Sequence, residues 1–87
     1  MSTINFYSSG IFSSRLQAAM NEKSFSAISL AEKSGVSMNI IMRYLNDEAS
    51  PSLNMVELFA VALDIHPGWL AFGVGSKVAP SPDELFR

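Results

Sequence analysis

The sequence predicts an all-α fold, a compact bundle of five helices, on three observations. Apolar residues recur at spacings of three and four through five separate stretches. Serine or proline stands at the start of most of them, and glycine or a proline-containing turn at the end. Two of the stretches are joined by Ser34-Gly35-Val36-Ser37, room for a tight turn and no more.

Phe12, Leu16, Ala19 and Met20 make the apolar side of a first helix over 11–22, with Ser8, Ser9 and Gly10 as candidate caps and Arg15, Gln17 and Asn21 pointing outward. Ser26 can accept from the free amides of a second helix over 27–33, and Phe25 before it can staple onto Leu30. Gly35 ends that helix, because glycine takes the left-handed conformation at little cost, and Ser37 caps a third helix that starts at Met38. The turn composition of Asn46-Asp47-Glu48-Ala49-Ser50-Pro51 stops the third helix near Asn46, and Ser52 caps a fourth. That fourth helix carries Leu53, Val56, Phe59, Ala60 and Leu63 on one side and Met55, Leu58 and Ala62 on another, so it is expected in the middle of the bundle. Proline suits a first helical turn, which gives a fifth helix over 67–72 that Gly73 closes, with Trp69 in the core. Leu70 to Phe72 either complete the core or leave an apolar patch for a second copy.

The chain has 87 residues, enough for one domain with one modest core. Hydrophobic residues are 48% and charged residues 16%, a balance that favours a packed globule over disorder. There is no cysteine, which excludes disulfides, thiol catalysis and cysteine-based zinc sites. His66 is alone, so no histidine cluster can hold a metal, and its place before Pro67 reads as a helix start. No basic leader and no apolar run of membrane length occur, which points to a cytoplasmic protein with no membrane association. Because the sequence offers no nucleophile–base pair, phosphate loop or convergent carboxylate pair, it is not read as an enzyme, and no cofactor is expected.

The second and third helices with their glycine turn have the helix-turn-helix layout, spanning 25–46, in which the later helix is free to enter a major groove. On that helix Ile41, Tyr44 and Leu45 share one face, and Asn39, Met42, Arg43 and Asn46 form a stripe opposite. Asn39 can bond an adenine edge, Arg43 a guanine or a phosphate, and Met42 a thymine methyl. Against this, Met38 and Met42 are a residue type that more often fills cores or interfaces. The formal charge of −2 is also unlike a protein that leans on phosphate contacts.

Several segments, in order, resemble the N-terminal DNA-binding domain of lambdoid phage repressors and Cro-type regulators. They are Ser13-Ser14-Arg15-Leu16, Leu30-Ala31-Glu32-Lys33-Ser34-Gly35-Val36-Ser37, Ala60-Val61-Ala62-Leu63-Asp64-Ile65 and Trp69-Leu70. The resemblance covers 11–73. It implies a five-helix bundle that binds operator half-sites on double-stranded DNA as a homodimer, with base contacts from Ser37, Met38, Asn39, Met42 and Arg43. Asn46 at the end of the stripe and Ala27 at the start of the second helix are counted with the DNA-binding positions. Ala27 stands where family members often have a glutamine that holds the DNA backbone. The loop after the third helix, often basic in the family, carries Asp47 and Glu48, and Met20 and Leu45 occupy the places of a buried arginine–glutamate pair found in some members.

The resulting organisation is an N-terminal arm over 1–10, a DNA-binding domain over 11–73 and a linker or flexible tail over 74–87. In the tail, Leu85 and Phe86 are either a short docking segment or part of a link to a further domain. The leading function is a transcriptional repressor of phage, prophage or bacterial origin. Its alternative keeps the fold but binds a partner protein, as an antitoxin-like or antirepressor-like module does.

Overall fold

The computed structural model describes residues 11–74. Among them five helices follow one another: α1 (Phe12–Glu22), α2 (Ala27–Ser34), α3 (Met38–Leu45), α4 (Leu53–Leu63) and α5 (Pro67–Phe72). The expected arm, the tail beyond Val74 and the caps at Ser8, Ser9 and Gly10 lie outside the described residues; α1 opens at Ile11, in extended backbone without a side-chain cap. None of the described helices is long and apolar enough to cross a membrane.

Three serines start helices as their positions suggest. The hydroxyls of Ser26, Ser37 and Ser52 accept from the amides of Ser29, Ile40 and Met55 at 3.1, 3.3 and 3.1 Å, satisfying donors that a first helical turn cannot pair internally. At α5 the same service comes from His66, whose Nδ1 accepts from the Gly68 amide at 3.0 Å, with Pro67 at the first helical position.

The stops are more varied than the glycines alone foretell. Gly35 and Gly73 end α2 and α5 in the left-handed region, but Ser24, Asp47 and Asp64 take it after α1, α3 and α4, at φ near +60°. Each of these three places the next amide on a carbonyl five residues back: Phe25 on Met20, Glu48 on Arg43 and Ile65 on Ala60, at 2.8, 2.8 and 3.0 Å. This is the Schellman closure, and the short polar side chain of aspartate tolerates it better than most.

Leu16, Met20, Leu30, Ile41, Phe59, Leu63 and Leu70 are fully buried and come from all five helices. The packing pairs α1 with α3 and α5, α2 with α3 and α4, and α4 with α5. Contrary to its composition, α4 is not surrounded. Val56, Phe59, Ala60, Ala62 and Leu63 are buried, whereas Leu53 is 69% and Val61 80% exposed, with Leu58 also open to solvent. A domain this small cannot put neighbours all round one helix, and the main partners of α4, α2 and α5, cover one side only. At α5, Leu70 belongs to the core and Trp69 packs half-buried against it, while Phe72 stays exposed.

Arg15 does not point outward. It is 4% exposed, and its guanidinium reaches across to α5, where Nε donates to the Leu70 carbonyl at 2.8 Å and Nη2 to the Ala71 carbonyl at 2.7 Å. Spacing already placed it there, because Phe12, Arg15, Leu16 and Ala19 share one helical face; its charge argued otherwise. The last carbonyls of a helix lack internal partners and carry partial negative charge, so the end of α5 offers the guanidinium what water would. Burial pulls the Arg15 pKa below the ordinary arginine value, though a guanidinium stays protonated in proteins. Arg15→Ala is expected to lower the unfolding free energy by about 2 to 4 kcal/mol, the scale of charge-assisted bonds lost in a buried site. Urea denaturation checks this, with Leu63→Ala as a core reference expected to cost about 2 to 5 kcal/mol; an unchanged midpoint for Arg15→Ala would show that water replaces the guanidinium without loss.

Candidate nucleic-acid interface

The orientation of α3 follows from what its inner face must bury. Ile41 is fully enclosed, and Tyr44 inserts between two rings from other helices. Its centroid lies 5.8 Å from that of Phe12 on α1 and 5.9 Å from that of Phe59 on α4, edge-on to both, while Phe12 and Phe59 stack at 6.5 Å. Edge-to-face packing of this kind aligns the positive ring edge with a negative ring face, so the rotation of α3 about its own axis is fixed.

With Ile41 and Tyr44 inside and Leu45 half-buried, Met38, Asn39, Ile40, Met42, Arg43 and Asn46 are all exposed. At about 100° per residue, Asn39, Arg43 and Asn46 run down the centre of the outward face. Met38 and Met42 flank them on one side and Ile40 on the other. The structure thus brings together Met38, Asn39, Met42, Arg43 and Asn46 on one surface. Ser37 is exposed at the start of that surface with its oxygen engaged in the helix cap. Ala27 is half-buried and packs against the core; a methyl group there has no hydrogen bond to give a phosphate.

The turn that delivers α3 is held from within. Ser34 Oγ donates to the Leu30 carbonyl at 2.6 Å and accepts from the Val36 amide at 3.2 Å, and Val36 is buried. Gly35 between them has φ +78°, with open space where a Cβ would stand, so glycine is required here by backbone conformation rather than by crowding.

Arg15, expected from the sequence to point outward, is buried and so is removed from the cations open to a ligand. The exposed cations among the described residues are Lys23, Lys33 and Arg43. Asp47, which as part of an acidic loop weakens a nucleic-acid reading, has a local structural duty: it holds the left-handed position that closes α3. The positions expected to replace an ion pair, Met20 and Leu45, are buried and half-buried apolar residues, in keeping with the near-neutral exchange of buried ion pairs for apolar ones.

The sequence profile described as helix-turn-helix matches residues 16–70. The chain belongs to the helix-turn-helix family. The matched span takes in α2, the turn, α3 and α4 entire, together with most of α1 and α5. Among curated proteins, the chain is 36% identical over 70 residues to the HTH-type transcriptional regulator PrtR of Pseudomonas aeruginosa. The aligned part is 80% of this chain and 27% of that protein, so the chain spans about a quarter of the relative's length. In a helix-turn-helix domain the second helix of the motif is the one placed in the major groove, and here that helix is α3.

Arg43→Ala is expected to weaken duplex binding at least severalfold, because it removes the cation at the centre of the outward face; Asn39→Ala is expected to change base preference more than affinity. Titration of each variant against selected and scrambled duplexes checks both, and parental binding by both variants would show that α3 is not the reader.

Proposed function

We propose that this protein is a sequence-specific, non-enzymatic regulator of transcription of the phage or prophage repressor type, reading operator half-sites through α3 as a homodimer in the cytoplasm. The observation that carries this reading is the exposed stripe Asn39, Met42, Arg43 and Asn46, set opposite the two residues that anchor α3. Family membership supports it. Asn39 offers a paired donor and acceptor, and Arg43 a fork that matches a guanine edge. Two-fold symmetry would set the two α3 helices on half-sites about one helical turn apart. Exposed apolar side chains away from α3, Val61 on α4 and Phe72 at the end of α5, are surface on which two copies can meet.

Few phosphates can be engaged by the three exposed cations among the described residues of each protomer. A dimer that set these residues on phosphates would draw from them a salt slope of about −5, shallow beside highly basic binders. That sparse charge, with apolar Met38, Ile40 and Met42 around the stripe, favours a second reading, in which the same face takes a partner protein.

Selection from a random duplex pool at two salt concentrations separates the two. Enrichment of a pseudo-palindrome with half-sites about 10 base pairs apart, bound more weakly as salt rises, is the expected result. Absence of binding at low salt by protein shown to be folded by circular dichroism would overturn the DNA reading and leave the partner-protein reading.

A further inference from the structure

The outward face of α3 is unusual in what flanks its polar centre. Met38 and Met42, one helical turn apart, are 43% and 39% exposed. On a face turned to a major groove, an apolar side chain meets one apolar feature on the base edges, the C5-methyl of thymine. We infer that Met38 and Met42 are specificity-determining residues that read thymine methyl groups, and that the half-site carries A·T pairs at the positions they face, with Asn39 on an adenine edge beside them. The inference rests on the DNA-binding reading above.

Geometry narrows it further. Residues four apart on a helix rise by about 6 Å, and bases along a strand by about 3.4 Å, so the two thymines lie within about two base steps of each other. Methionine is well suited to such a contact, since its unbranched thioether adapts to a small methyl target, and the contact takes apolar surface on both sides out of water. With few exposed cations among the described residues, such contacts carry a larger share of the affinity than they do on a basic domain.

The test uses the full chain and the best duplex from the pool selection, with each thymine of a half-site replaced singly by deoxyuracil, which deletes only the methyl. Two positions per half-site are expected to bind about fourfold more weakly, the size of one buried methylene-scale group. In Met42→Ala one of those penalties is expected to vanish, and in Met38→Ala the other, while Met42→Leu, still apolar, keeps its penalty. Crossing base and side-chain changes isolates the contact from any general weakening. Tight binding that is indifferent to deoxyuracil at every position, or penalties that persist in both alanine variants, would overturn the inference and leave the DNA reading standing. Failure of every duplex to bind the folded protein would overturn both.

Discussion

Three aromatic rings from three helices fix the one orientation on which the rest depends. Tyr44 of α3 sits edge-on to Phe12 of α1 and Phe59 of α4, and Ile41 one turn earlier is sealed beneath it. Two buried anchors three residues apart leave a short helix no freedom to roll. A roll of one residue position, about 100°, would bury Arg43 or expose Tyr44, and either costs several times what a surface contact is worth. The chemistry of the outward face is therefore set by packing on the inward one.

Around that cluster the polar groups are local and matched. Helix starts are served by serines and His66 from within the same turn. The stops use left-handed residues whose following amides fold back onto the helix they end. A long-range polar link runs from Arg15 to the carbonyls of α5, and it withdraws a cation from the surface to do so. What remains outside is a lightly charged domain whose outward α3 face mixes amide, guanidinium and thioether groups.

Most of this architecture was legible in the residues. Five helices appear within a residue or so of where caps and periodicity put them, because Ser26, Gly35, Ser37, Ser52 and Pro67 act through interactions confined to a single turn. The outward stripe of α3 was legible for the same reason, since Ile41 and Tyr44 fall three apart. Arg15 was not, because its partners lie 55 and 56 residues away in sequence, and a rule that sends charge outward overrode a spacing that sent it in. The exposed side of α4 was not legible either. Apolar content tells that a helix can be buried, whereas the number of neighbours available in a small bundle decides how much of it is. Asp47 read as an unhelpful charge, since left-handed backbone after a helix is signalled clearly by glycine and only faintly by aspartate.

The Arg15 link also bears on how the chain acquires its structure during synthesis. Arg15 leaves the ribosome early, and its acceptors on α5 are made 55 and 56 residues later, an interval of about 3 to 11 seconds at ordinary elongation rates. Throughout that interval α1 carries a hydrated cation on the face that must become buried. α3 is already translated by then, yet the bonds that tie α1 to α5 form only once α5 is made. A chain cut short between α4 and α5 would thus hold the whole helix-turn-helix segment without the α5 carbonyls that Arg15 meets, and so be more open to proteolysis.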